Sequence, residues 1–463
     1  MGGWRATWQT WRMTVWVLLM PHLLMLPFIG ALTNIYLTEE LGASTADLGL
    51  VESANNWLSA FGAPVIGVLL RRWGLKGVVL LHMISFIVGA VLLASLGSWR
   101  GAILVGAVQG FEATSVALVR VYFFFTQLPP PLRGRAAVMV GLANKMNYIV
   151  APWVGALIFE LTGSYRAIFL AQAAFCLLPM ALLLVFVPWK LGRGGKSFEL
   201  THASNTSDSE ASKDDTGEEA SALDCRGEIS KHVSEFKAVC SGSSSRRGLV
   251  VVIVWGVLYK SCQVAWHSFI FPLRLREAGF EPTTINLLRP IEYFSSFPVL
   301  LCTGAIMERH RNGLRFAAAS FGGMYGVGLI AFSLAGPELW SFILATIPFG
   351  VAEGFGPSPP VVWAALSPQG LGAEFFATAQ MCLSGFSIVT PWLMGQLAAA
   401  TSLTVLGFVT GAGGIFTFWF CWTFVPPQPT KVQLQQRDED ASTKAAARDD
   451  RESEMASLLR ENE

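Results

Sequence analysis

The sequence predicts an all-α polytopic membrane protein, with 12 transmembrane helices in two pseudo-symmetric six-helix bundles. Three observations predict it. Hydrophobic residues make up 52% of the 463-residue chain and charged residues only 14%, against about 25% charged in soluble domains. Long apolar runs recur along the chain, and twelve spans of about 20–23 residues would take roughly 240–276 residues. The second half repeats landmarks of the first. Composition also excludes some classes: 33 basic and 32 acidic residues nearly cancel, leaving no electrostatic footprint for nucleic acid. Five of the seven cysteines (Cys176, Cys262, Cys302, Cys382 and Cys421) sit in apolar runs, where thiols act as small hydrophobes. Neither a disulfide framework nor zinc spacing follows.

Apolar runs bounded by charge or turn residues place spans near 13–36, 46–70, 77–97, 101–124, 136–159, 166–188, 249–272, 284–307, 314–334, 338–362, 374–397 and 402–425. The run after Arg12 is long and lacks a small-residue cleavage site, so it reads as an anchor span rather than a secretory leader. Two bundles are expected, 1–188 and 249–427. The stretch 189–248 is rich in Ser, Asp, Glu and Lys and cannot bury enough apolar surface to fold. It is expected to be a disordered linker, as is the tail 428–463. With both termini cytosolic, inner segments hold ten basic residues (Arg5, Arg12, Arg71, Arg72, Lys76, Arg133, Arg135, Arg309, Arg311 and Arg315). The outer loops hold four, Arg100, Arg166, Arg274 and Arg276, so the positive-inside rule favours this orientation. The sequon Asn205-Thr206-Ser207 then lies in the cytosolic linker, away from the glycosylation machinery.

An offset of 237 residues brings Glu40 onto Glu277, Gly42 onto Gly279 and Gly67 onto Gly304. At 239, IVAPWVGAL (149–157) meets IVTPWLMGQL (388–397), with Pro152 on Pro391, and at 244 Gly110-Phe111 meets Gly354-Phe355. Small changes in offset are what loop insertions produce. An even number of spans precedes the second copy, so both copies run in the same direction, and a substrate site between them near the midplane is expected.

At this point the chain resembles the major facilitator superfamily, over both halves, about 13–188 and 249–425. The most specific local signal is GVLLRRWGLKG, residues 67–77. It resembles that family's Gly-x-Leu-x-Asp-Arg-x-Gly-Arg-Lys loop, matched at Gly67, Leu69, Arg72, Gly74 and Lys76, with Arg71 where the family usually has Asp. The second-half counterpart from Gly304 keeps an acidic residue, Glu308, followed by Arg309. The resemblance implies a gate loop at these positions; by their own chemistry the glycines make a tight turn, and the basic groups meet helix ends or anionic headgroups. They also satisfy the positive-inside rule without any gating role. The Arg that the family often carries four residues before Gly110 is absent, since Gly106 stands there. Ala151-Pro152-Trp153-Val154-Gly155-Ala156 loosely resembles the family's antiporter pattern, which implies export, although a Pro among small residues also serves packing or bending.

A charge at the bilayer centre costs at least about 2.5–3.5 kcal/mol, so each needs a partner or a wet cavity. Gln109, Glu112, Val116 and Arg120 fall on one face of span four, expected to face the cavity, with Arg120 free to snorkel. Lys145 lies at comparable depth in span five, so a Glu112–Lys145 pair is expected, as part of transport or as a static bridge. Glu353 opens EGFGPSPP, whose glycines and prolines should break span ten, and is the leading proton or cation-coupling candidate. Arg289 and Glu292 in span eight can pair at i, i+3, and by the 237-residue offset they take the slots of Glu52 and Asn55. Lys260, Gln263 and His267 share one face of span seven. His267 and His22 are further titratable candidates. Trp57, Tyr148, Tyr259, Trp266, Tyr293 and Trp363 are candidates to line an amphipathic cavity, or to serve packing.

The function expected is that of a secondary active transporter, a monomer in the lipid bilayer that moves a small organic solute by alternating access. Coupling to a proton or other ion is expected, and export of a metabolite or drug is slightly favoured. Uptake of an organic anion or nutrient, or a non-transporting receptor on the same fold, are the alternatives. No Walker-type loop is present, so direct use of ATP is not expected. Nor is enzyme activity, a cofactor or a metal site: the cluster Glu308-Arg309-His310-Arg311 coincides with the repeated loop. Glu454 with Leu458-Leu459 resembles an acidic dileucine signal, which implies a vacuolar or endolysosomal membrane; the plasma membrane is the default otherwise.

Overall fold

The computed structural model describes residues 32–126, 130–187, 241–367 and 372–427. The expectations for residues 13–31 of span one, His22, most of the linker and the dileucine lie outside them, as do the side chains of Arg71, Arg120, Glu308 and Arg309. The first half of the described chain is built from α1 (Leu32–Glu39), α2 (Thr45–Ser95), α3 (Arg100–Thr126), α4 (Pro130–Thr162) and α5 (Tyr165–Phe186). The second half is α6 (Ser243–Val264), a π-helical segment (Ala265–Ile270), α7 (Phe271–Glu277), α8 (Pro282–Arg309), α9 (Gly313–Leu334), α10 (Leu339–Gly354), α11 (Ser358–Leu366), α12 (Gly372–Ala400) and α13 (Leu403–Phe424). Among the described residues seven helical stretches are long and apolar enough to cross a membrane.

α2 starts at a capping box, in which Ser44 Oγ accepts from the Asp47 amide while the Asp47 carboxylate accepts from the Ser44 amide. It holds two of the expected spans end to end. Gly74 breaks it with φ 74°, a left-handed conformation that only glycine adopts without cost.

The duplication is visible in the geometry. Gly42 and Gly279, matched at 237, both take positive φ, 68° and 87°, at the turns before α2 and α8. Lys76 donates to the carbonyls of Leu184 (2.9 Å) and Val187 (2.5 Å), which end α5. Arg315, at the 239 offset from Lys76, donates to Val425 O (2.6 Å), which ends α13. Both cations therefore satisfy the orphan carbonyls of a helix C-terminus, where the helix dipole also favours positive charge.

Among the described residues the most extensive contacts between the halves are α2 on α12 and α4 on α8. Gly49 and Gly395 let the first pair of backbones touch: a Cβ on Gly49 would stand 2.6 Å from Pro391 O, and one on Gly395 2.6 Å from Thr45 O. In the second crossing Asn286, matched to Gly49, donates to Pro152 O (2.6 Å), matched to Pro391 O. One seam is thus closed by missing side chains and its repeat by a side-chain amide.

More polar ties gather at the same end. Asn34 donates to Ser268 O (2.7 Å), Ser268 Oγ to Glu52 (2.9 Å), and Arg276 pairs with Glu39. Glu52, expected to answer Arg289 in the repeat, instead binds the π segment.

Candidate functional site

The site begins with a helix break. α10 stops at Gly354, α11 starts at Ser358, and Thr303 Oγ1 takes the Gly354 carbonyl at 2.9 Å. Glu353 therefore sits in the last turn of α10, within the broken stretch 339–366. A carboxylate there faces the negative end of the helix dipole and needs cations and donors around it.

It finds them on three other helices. Lys145 Nζ of α4 lies 2.8 Å from Glu353 Oε2. Tyr325 OH of α9 donates to Oε1 at 2.5 Å, and Gln263 Nε2 of α6 donates to the same oxygen at 3.3 Å. Both partners of the ion pair are largely enclosed, with side chains 12% and 18% exposed. Since Lys145 belongs to the first half and Glu353 to the second, this bridge crosses the seam from the middle of α4 to the end of α10.

A second pair lies beside it on α8. Arg289 NH1 stands 3.5 Å from Glu292 Oε2, and Trp266 Nε1 donates to that same oxygen at 2.8 Å. The expected i, i+3 pairing is formed. Arg289 also lies against His267 Nδ1, and a guanidinium can only donate. The Tyr293 ring joins the two pairs, with Lys145 Nζ 5.2 Å and the Arg289 guanidinium 5.9 Å from its centroid. Tyr148 of α4 stacks on Tyr293 of α8, centroids 5.0 Å apart and planes 14° from parallel.

Lys260, one turn before Gln263 on α6, is exposed although it lies mid-span, and it is within coulombic reach of Glu353.

Two expectations change. Lys145 pairs with Glu353 and not with Glu112, because α4 packs across the seam on α8 rather than turning its lysine toward α3. Glu112 is held inside the first half by His82, whose Nδ1 is 3.4 Å from Glu112 Oε1 and 3.2 Å from its carbonyl. The Gln109 stem lies against Gly89 of α2. The stripe expected to face the cavity therefore meets the 72–95 segment of α2 at both positions.

In the loop regions Lys76 is a buried helix cap, Arg72 is exposed, and Gly67 and Gly304 lie within α2 and α8. Of the candidate aromatic residues, Tyr148, Trp266 and Tyr293 join the cluster. Tyr259 and Trp363 are core residues, and Trp57 packs edge-on against Phe61. Tyr325 was not anticipated; its signal is a lone tyrosine amid the small residues of α9.

His267, Glu292 and Glu353 bring ligand-type atoms within 4.8 Å of one another. Lys145 and Arg289 already engage both carboxylates, and these two cations oppose a divalent ion by direct repulsion.

A family model described as the Major Facilitator Superfamily matches residues 15–370. An uncharacterized MFS-type transporter, YfiU of Bacillus subtilis (strain 168), is 26% identical over 165 residues, 34% of this chain and 31% of that protein. Multidrug resistance protein 3 of the same organism is 26% identical over 139 residues, 28% of this chain and 27% of its own. The chain thus spans less than a third of the length of these curated relatives. In overall fold it is similar to the nucleoside transporter NupG (TM-score 0.64, 14% identity, 90% of this chain and 98% of that one). It is also similar to a POT family transporter in complex with a thioalcohol-conjugated peptide (TM-score 0.65, 12% identity, 90% and 95%).

Proposed function

The chain belongs to the major facilitator superfamily, and from that premise we propose that it is a secondary active transporter moving a small organic solute by alternating access, coupled to protons. Two bundles, drawn at 1–188 and 249–427, rock about a central site in this reading. The observation that carries it is the Lys145–Glu353 bridge across the seam. Glu353 pairs with Lys145 when ionised, the state that takes solute on one side, and a proton taken up from the other side loosens the pair as the halves change over. Gln263 and Tyr325 hold the carboxyl in place in either state. The functional set is Lys145, Lys260, Gln263, Arg289, Glu292 and Glu353; Gln109 and Glu112 belong to its first-half support. The loops around Gly67, Arg71, Arg72, Gly74 and Lys76, and around Gly304, Glu308 and Arg309, are the gate loops.

The ties at the Gly42/Gly279 end, together with an exposed Lys260, support a conformation closed at that end and open at the other. With both termini cytosolic, the opening faces the cytosol. Export is the favoured direction, on the loose antiporter pattern at Ala151-Pro152 and the name of one relative, a multidrug resistance protein. The chain is a multi-pass membrane protein acting as a monomer, at the plasma membrane or, if the dileucine is read, at a vacuolar or endolysosomal one.

The test is a screen of candidate solutes in proteoliposomes with and without an imposed pH gradient. The gradient should accelerate flux of at least one solute; flux indifferent to the gradient contradicts the coupling.

A further inference from the structure

We infer that the transported solute is an organic anion of single net charge, held by Lys260 and laid against the Tyr148–Tyr293 ring pair. This rests on the transporter reading above. The charge inventory of the site carries it. Lys145 and Glu353 cancel, as do Arg289 and Glu292, and the Arg289 guanidinium against His267 Nδ1 opposes a second positive charge there. Lys260 is left over. Among the described residues it forms no hydrogen bond or ion pair, and the nearby Glu353 carboxylate already belongs to Lys145.

A charged amine at mid-span persists only beside water or a counter-ion. Lys260 is exposed, which is what an ammonium opening into a wet cavity requires. The site thus carries one uncompensated positive charge. A solute of charge minus one balances it, a cation meets repulsion, and a dianion overshoots. The ring pair fixes the other half of the chemistry: two parallel tyrosines, one from each half, offer a flat apolar wall for the body of the solute. Binding there touches both halves at once, which ties occupancy to their relative position.

The test uses the purified full chain in detergent, with thermal unfolding followed against benzenesulfonate, benzene-1,3-disulfonate, benzyl alcohol and benzyltrimethylammonium. Benzenesulfonate should stabilise the protein most. Lys260→Gln should weaken its binding about tenfold or more, as loss of a charge-assisted contact does, while Lys260→Arg retains it. Equal or greater stabilisation by the alcohol, the ammonium or the disulfonate overturns the inference, as does unchanged benzenesulfonate affinity in Lys260→Gln. If Lys260→Gln does not fold, the ranking of the four probes on the native protein decides. Labelled benzenesulfonate that binds through Lys260 but never enters proteoliposomes supports the anion assignment and contradicts the transporter reading, so the two fail separately.

Discussion

Lys145 on α4 and Glu353 on α10 form an ion pair of 2.8 Å that links the first half of the chain to the second. Removing the lysine leaves a carboxylate near the negative end of α10 with Tyr325 and Gln263 as its hydrogen-bond donors among the described residues. Lys145→Ala should therefore abolish gradient-driven flux, by ~100-fold or more, since a partnerless enclosed charge is costly. The check is proteoliposome flux beside a circular-dichroism melt. Folded protein with undiminished flux would make the bridge merely structural.

Glu112 gives the converse case. Its partner is His82 and its distance from the Lys145 cluster is set by the packing of α3 on α2. Glu112→Gln should alter gradient-driven flux by no more than about threefold, about 0.7 kcal/mol in the barrier. Parallel initial-rate measurements on Glu112→Gln and Lys145→Ala test it.

Lys76 and Arg315 should prove equivalent in stability. Each satisfies terminal carbonyls of a helix, so Lys76→Met leaves two orphaned acceptors and should cost about 1–3 kcal/mol. Arg315→Met should cost a similar or smaller amount. Thermal unfolding in one detergent compares them, and an unshifted midpoint for Lys76→Met would deny it the capping role.

Gly49→Leu should loosen the end closed by α2 and α12. Even its Cβ would crowd Pro391 O, and overpacking a tight contact costs ~1–3 kcal/mol. Labelling of Asn34→Cys by a membrane-impermeant thiol reagent reports on that end, because Asn34 is tied to Ser268 there. The reagent should react faster in the Gly49→Leu background.

The sequence made some of this legible and not the rest. Composition and repeat spacing are local and cumulative, so the helical membrane class and the matched glycines could be read directly. So could the break after Glu353, since glycine and proline act on their own backbone. The shared face of Gln263 and His267 followed from helical period, and both reach the central cluster. The partner of Lys145 did not follow. Helical phase gives depth and face, while partner choice depends on which helix crosses which, and α4 lies on α8 of the opposite half. The His82 partner of Glu112 did not follow for the same reason: a stripe of polar residues gives a face, not the helix that lies against it.

The most direct measurement counts protons and solute together in proteoliposomes containing Glu353→Gln, which keeps the shape of the side chain and removes its charge cycle. Solute should still exchange down its own gradient, with no accompanying proton movement and no accumulation against a gradient. Proton-driven accumulation at the native rate in that variant would contradict coupling through the Lys145–Glu353 bridge.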